Sequence, residues 1–358
     1  MSPLKSILVI FRESITYSRL SVRSNMEDLI EAFAVSQVTT DPNSTAAEHP
    51  RFALYKAKNR LSSQDERRRK FLEAQKQKRY DYASHARKLA TDEWGEEEET
   101  EDKENDGMEC EEISIKPPRY YKDQLMLSEW LVDVPDDMAA LWYLVLCPVG
   151  KRSLVVASRG KTKVYTRSGY RVNTFYSLLP GGNWRIEGSG RAYTILDCIF
   201  DESNKTYYIL DVMCWKSHPC YDSDTEFRFY WRNTKIEETP EVKTISDDNQ
   251  YKFIPLPHYD CDTETLKKTL QDPLPFPSKL DGLLFYHRKT HYISATTPLV
   301  GWLKAYMVPE MLNIEVPSSL CEDKPSGYVS MQQHIPKAFE VAAERKKDEE
   351  KQMMFEET

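Results

Sequence analysis

The chain has 358 residues, 40% of them hydrophobic and 30% charged, and carries a formal net charge of −8. That length allows one large core plus extended segments, at roughly 150 residues per domain, and no apolar run approaches the roughly 20 residues of a membrane span, so no membrane partner is expected. Seven cysteines, at 110, 147, 198, 214, 220, 261 and 321, form no C-x-x-C pair, which argues for reduced thiols and against a zinc or redox motif; no metal, cofactor or catalytic group is expected.

In chain order, residues 1–25 hold Lys5, Arg12, Arg19, Arg23, several serines and one acid, Glu13. Transit peptides share that composition, but Met26 opens a second plausible start, and we read 1–25 as an upstream extension. Residues 26–48 are short and mixed, with Met26, Leu29, Phe33 and Val35 as their apolar positions.

Residues 49–92 are basic. Between 49 and 91 thirteen basic residues face four acidic ones, Asp65, Glu66, Glu73 and Asp81. Ser63-Gln64-Asp65-Glu66 reads as a capping box. No Pro or Gly interrupts Gln64 to Ala90, so one long helix is allowed. Its apolar residues make no wide stripe, and the helix is expected to be marginal until a partner orders it. Residues 93–116 are strongly acidic, lack core formers and predict a solvated linker.

Residues 117–322 change character. Trp142–Cys147, Ser153–Ala157, Thr194–Phe200, Thr206–Met213, Phe227–Trp231 and Gly282–Tyr286 predict strands, with turns at Gly181-Gly182 and Ser203-Asn204. Strands with few helices between them suggest an α+β domain on antiparallel sheets. Residues 323–358 read as a polar helical tail.

His49-Pro50-Arg51, Tyr55-Lys-Ala-Lys58, Glu66-Arg-Arg-Arg-Lys70 and Lys76-Gln-Lys-Arg-Tyr-Asp-Tyr82 resemble the importin-β-binding domain of the snurportin family. The resemblance continues through Gln124-Leu-Met-Leu-Ser-Glu-Trp-Leu131, Cys147-Pro-Val-Gly-Lys-Arg152, Leu178-Leu-Pro-Gly-Gly-Asn183, Asp211-Val-Met-Cys-Trp215 and Pro298-Leu-Val-Gly-Trp-Leu303. It implies a nuclear import adaptor that carries spliceosomal small nuclear ribonucleoproteins by the trimethylguanosine cap of their RNA. Such a protein shuttles between nucleus and cytoplasm. The resemblance assigns Arg51, Lys56, Arg67, Arg68, Arg69, Lys70, Lys76, Lys78 and Arg79 to importin-β, and Met26, Leu29, Phe33 and Val35 to an exportin. It places Trp302 in a stack on the methylated base, with Leu127, Ser128 and Trp130 around the base edge. Arg152 and Arg167 are candidates for the triphosphate bridge; the family usually has lysine where Arg167 stands, which keeps the charge and changes the geometry.

The sheet domain also resembles the nucleotidyltransferase fold of mRNA guanylyltransferases and ligases, whose nucleophile is the lysine of a K-x-D-G-x-R motif. Here Gly150 and Arg152 remain, Cys147 stands at the lysine position, and Val149 replaces the aspartate. Leu210-Asp211-Val212-Met213 lacks a metal-holding glutamate, whereas Asp281-Gly282-Leu283-Leu284-Phe285 and Gly301-Trp302-Leu303-Lys304 keep the later motifs. Cys147 is either a cap-lining residue or a small core residue. The alternative function is a divergent guanylyltransferase. A third is an RNA-binding arm at 49–91, whose affinity would fall steeply with salt.

Overall fold

The computed structural model describes residues 63–77, 80–93, 118, 120–186 and 192–334. The chain divides into two units. Ser62–Ser326 carries the architecture below. The other unit, 1–61 with 327–358, contributes only residues 327–334 to the described set.

The expected long helix is two helices, α1 (Gln64–Gln77) and α2 (Tyr82–Thr91). Ser63 opens α1 as the capping box predicts, its Oγ accepting from the Glu66 N–H at 3.2 Å. A second cap explains the break: the Asp81 carboxylate accepts from the Ser84 N–H at 3.0 Å and starts α2 afresh. α2 buries Tyr82, His85, Ala86, Leu89 and Ala90. The Tyr82 ring stacks on Tyr221 at 4.9 Å, and His85 Nε2 lies 3.0 Å from Gln124 Oε1. The sequence reading of an arm without a burying face is therefore corrected for 64–91. Part of that face is polar, and polar groups of the sheet domain receive it.

Then follow β1 (Leu127–Trp130), α3 (Met138–Leu141), β2 (Trp142–Pro148), β3 (Lys151–Ser158), β4 (Lys161–Tyr165), β5 (Arg171–Phe175), β6 (Tyr193–Asp201), β7 (Thr206–Trp215), β8 (His218–Pro219), α4 (Thr225–Glu237), β9 (Lys252–Pro255), β10 (His258–Asp260), α5 (Thr263–Gln271), β11 (Leu280–His287), β12 (Thr296–Leu303) and α6 (Val308–Leu312). One sheet runs β1-β12-β11-β2-β10. The other runs β5-β4-β3-β6-β7-β8, with β9 also on β7. All pairings are antiparallel except β1 with β12 and β7 with β9. The α+β expectation holds. β2 is a continuous apolar run, and β7 is one apart from Thr206 and Asp211, because both are buried along their whole length.

The chain passes from one sheet to the other through Val149-Gly150. A Cβ on Gly150 would lie 2.6 Å from Ile199 Cγ2 and 2.6 Å from the Phe200 carbonyl oxygen. Only glycine permits that crossing. The expected Ser203-Asn204 turn closes the β6–β7 hairpin, where the Asp201 carboxylate collects the Ser203 and Asn204 N–H groups.

Phe227–Trp231 is not a strand. It lies in α4, whose N-cap Asp224 accepts from the Phe227 N–H at 2.9 Å. The helix buries Thr225, Arg228, Phe229, Arg232 and Ile236. That stripe has helical spacing, and the aromatic run disguised it.

Candidate cap-binding site

β1 and β12 bring the two candidate tryptophans together. Trp130 pairs with Trp302, Glu129 with Gly301, and Ser128 with Thr297. Residues 298–300 therefore have no partner on β1 opposite the Ser128–Glu129 step, although Val300 pairs with Tyr286 of β11. Pro298 cannot donate to a ladder, and a bulge accommodates it. β12 continues onto β11 with Trp302 opposite Leu284, and β11 onto β2 with Gly282 opposite Cys147. Cross-strand partners share a face, so Trp130, Trp302, Gly282 and Cys147 line one side of this sheet. A Cβ on Gly282 would stand 2.4 Å from Trp302 Cζ2 and 2.6 Å from Cη2. The benzo end of the indole is thus packed against the glycine. Trp302, Trp130, Ser128 and Leu127 are all half-buried. Lys304 Nζ sits 5.9 Å from the Trp302 ring centre and donates to Asp281 Oδ1 at 2.6 Å.

Arg152, on β3 of the other sheet, is engaged inside the protein. Its Nε and Nη2 meet the Asp197 carboxylate at 2.5 and 2.7 Å, and Nη2 also donates to the Met126 carbonyl at 3.2 Å. The Tyr292 hydroxyl donates to Asp197 at 2.7 Å and accepts from the Met126 N–H at 3.0 Å. Burial works against the Arg152 charge, but the Asp197 carboxylate more than offsets it and holds the guanidinium ionised. This network ties β3 and β6 to the residue just before Leu127. Arg167 lies in the exposed turn after β4, 3.6 Å from Asp123 Oδ1. Lys151, the neighbour of Arg152, is exposed and paired with Glu202 at 3.0 Å. Sequence reasoning missed Asp197 and Tyr292. An aspartate within an otherwise apolar strand was the available signal.

Cys147 is buried, and burial pushes its thiol pKa well up. A thiol held protonated is a poor nucleophile. Asp211, in the strand that aligns with the metal-holding motif, is matched by the guanidinium of Arg228, with Nε at 2.9 Å and Nη2 at 3.0 Å. Both side chains are fully enclosed. Among the described residues, no group of three or more His, Cys, Asp and Glu is placed to hold a metal ion. Six cysteines in the described residues are free thiols, and no described helix is long and apolar enough to cross a membrane.

The basic candidates divide along α1. Arg67 and Arg68 are buried, whereas Arg69, Lys70 and Lys76 are exposed. Lys70 pairs with Glu66 at 3.2 Å. Arg51, Lys56, Lys78 and Arg79 lie outside the described residues, as do Met26, Leu29, Phe33 and Val35.

Three solved chains illustrate the structural likenesses. The ligase domain of LigD from M. tuberculosis is 14% identical with a TM-score of 0.34, and half of this chain (50%) covers 59% of it. Mycobacterial DNA ligase D complexed with ATP is 15% identical with a TM-score of 0.34, at 50% and 60% coverage. A Lig E DNA ligase is 14% identical with a TM-score of 0.32, at 50% and 67%. The chain thus spans about three fifths of the ligase D chains, and likenesses this distant carry no functional weight. The family models are specific: the one described as "Snurportin1, m3G cap-binding domain" matches residues 124–305, and the one described as "Snurportin1" matches residues 49–88. The first alone spans half of the chain and contains Leu127, Ser128, Trp130, Cys147, Arg152, Arg167 and Trp302; with the second over the basic helices, the chain belongs to the snurportin family.

Proposed function

We propose that the chain is a nuclear import adaptor that holds the trimethylguanosine cap of small nuclear RNAs on the Trp302–Trp130 face and recruits importin-β through residues 49–92. The observation that carries the reading is the pairing of Trp130 with Trp302 on one sheet face, with the Trp302 indole packed against Gly282. Methylation at N7 makes guanine cationic, and a cation stacks well on an indole face. Two methyls on N2 remove the hydrogen-bond donors of that edge. A carboxylate buried there would go unpaired, at a cost of about 1–3 kcal/mol or more. An apolar wall suits the edge, and Trp130 supplies one. Arg152, kept charged by Asp197, and exposed Arg167 are the cations for the triphosphate bridge. Export through Met26, Leu29, Phe33 and Val35 returns the adaptor to the cytoplasm, so it shuttles.

The enzyme alternative meets two obstacles in the chain itself. The residue at the nucleophile position is a buried, protonated thiol, and Asp211 is already neutralised by Arg228. The adaptor reading is tested by titrating the full chain with trimethylated, monomethylated and unmethylated cap dinucleotides. Binding in that order of strength supports it. Equal binding of all three, or a covalent guanylyl adduct formed from GTP and magnesium, would refute it. For the export arm, alanine at Leu29, Phe33 and Val35 together should leave the protein nuclear after cargo release; an unchanged distribution assigns the exportin to other residues.

A further inference from the structure

Charge is segregated within the sheet domain. Between Asp137 and Glu187 stand eight lysines and arginines and no acidic residue, in a chain whose net charge is −8. Six of the eight meet a carboxylate from another part of the chain; among the described residues, Lys161 and Arg171 do not. Arg171 opens β5, the edge strand of its sheet, and pairs across the ladder with Tyr165. On the other side of β4, Tyr165 pairs with Leu154. Arg152 and Arg167 each stand two residues beyond that pair. The two candidates for the triphosphate bridge and Arg171 therefore lie at one end of this sheet, on strands about 4.8 Å apart. Between Arg167 and Arg171 the chain turns. Gly169 has φ +87°, and a Cβ there would lie 2.9 Å from the Lys122 nitrogen. The Asp123 N–H donates to the Arg167 carbonyl at 2.9 Å. The turn is thus seated on the segment that leads into Leu127, Ser128 and Trp130. Its last residue, Tyr170, is 65% exposed and has Lys122, Arg167 and Arg171 as exposed cations around it. The ribbon behind the turn is anchored by rings: Tyr165 stacks on Tyr121 at 3.8 Å, and Phe175 packs on Tyr251 at 4.4 Å.

We propose that the β4–β5 turn is the track for the RNA that follows the cap. Lys122 and Arg171 neutralise phosphates of that RNA, and the Tyr170 ring stacks under one of its unpaired bases. The ligand class is single-stranded RNA joined to the cap and held without regard to sequence. The proposal rests on the adaptor reading above, which sets the cap on the Trp302–Trp130 face and its triphosphate on Arg152 and Arg167. A strand leaving that bridge toward the sheet edge meets Arg171 and Tyr170 next. Charge on an edge strand has a plainer use, since it blocks pairing with another sheet. That use does not account for Tyr170 and Val172, at 65% and 61% exposure, because an edge under such protection avoids large exposed apolar side chains. Sites for single-stranded nucleic acid combine these two elements, cations along the backbone and aromatic rings under the bases. The guanidinium of Arg171 adds a planar fork that matches phosphate oxygens.

The test uses the full chain with Tyr170→Ala and, separately, with Lys122→Gln and Arg171→Gln combined. All three positions are exposed, so the fold tolerates the changes. The probes are a trimethylated cap dinucleotide and an RNA of about ten nucleotides with the same cap, a length within the span of such sites. The wild type should bind the capped RNA about ten-fold or more tighter than the dinucleotide, and Tyr170→Ala should remove most of that advantage. In the double variant the dependence of log affinity for capped RNA on log salt should become shallower by about 1.4, at roughly 0.7 per phosphate of a single strand. Neither change should alter dinucleotide affinity. Equal wild-type affinity for the two probes, as expected of a basic surface meant for an acidic protein, overturns the track. An advantage and salt slope that survive both changes overturn it too, because other residues would then hold the RNA. A wild type that binds trimethylated and unmethylated dinucleotides alike refutes the adaptor reading instead.

Discussion

Gly282→Ala isolates the stacking platform from everything else in the domain. The added methyl would start 2.4 Å from Trp302 Cζ2 and 2.7 Å from the Leu303 carbonyl oxygen. Carbon contacts settle near 3.5–4.0 Å, so the indole edge must retreat by about 1 Å or more. Overpacking of this kind typically costs about 1–3 kcal/mol of stability, which a domain with so continuous a core tolerates. The stack is less forgiving. A base on an aromatic ring gains about 1–3 kcal/mol, and losing most of it weakens cap binding by roughly one to two decades. Thermal unfolding and titration with trimethylated cap, on the same sample, separate the two effects. The decisive comparison is a double-mutant cycle with Trp302→Ala. If Gly282→Ala acts through the indole, adding it to Trp302→Ala costs little further affinity. Full additivity of the two losses, or an unimpaired Gly282→Ala, would show that the ring over the glycine is not the platform.

Trp130→Ala should mainly erase the preference for three methyls over one, read as a ratio of two cap affinities; an equal loss on both caps makes Trp130 structural or a second stacking surface. Asp197→Asn should destabilise the domain by about 3–5 kcal/mol in urea, because it leaves the Arg152 guanidinium without its buried counter-charge, and a loss below about 1 kcal/mol contradicts that account. Acid should also weaken the fold. Burial pushes His258 and His287 from 6.5 down to about 4, so both stay neutral in the native state while the unfolded chain takes up protons first. The stability they contribute is complete above pH 6.5 and is lost as pH falls toward 4; a urea midpoint that does not move between pH 7.5 and pH 5 would speak against it.

The sequence was most legible where burial is continuous. β2 and β7 read correctly because an apolar run of strand length has few other uses. β1 and β12 were not read as strands, although the resemblance had picked out Trp130 and Trp302. Leu127–Trp130 is four residues without alternation, and Pro298 interrupts β12 at a bulge that only the partner strand reveals. Phe227–Trp231 failed in the opposite way: β-forming residues occupy a helix because Asp224 caps it and the buried positions recur at helical spacing. Arg152 was singled out for its charge, yet the aspartate that fixes that charge comes from a different strand. Partners of this kind are long-range facts, and no local pattern encodes them.

α1 shows most sharply what binary patterning leaves out. Hydrophobic spacing asks whether a helix has an apolar stripe to bury, and on that question α1 has none. Yet its buried stripe is real and made of two arginines and two glutamines. Three of the guanidinium–carboxylate pairs among the described residues are largely buried and differ in their settings. Arg228–Asp211 is fully enclosed between α4 and β7, and Arg152–Asp197 joins adjacent strands. Releasing the first means lifting α4 off its sheet, and releasing the second means parting β3 from β6. Arg67–Glu129 is almost as dry, at 8% and 10% exposure, but Arg67 rides on a helix held at that face by hydrogen bonds with little apolar burial. Hydrogen bonds exchange for equivalent ones at small net cost, whereas apolar area does not. A polar stripe can thus give a helix a defined place on its own domain where no apolar face is present.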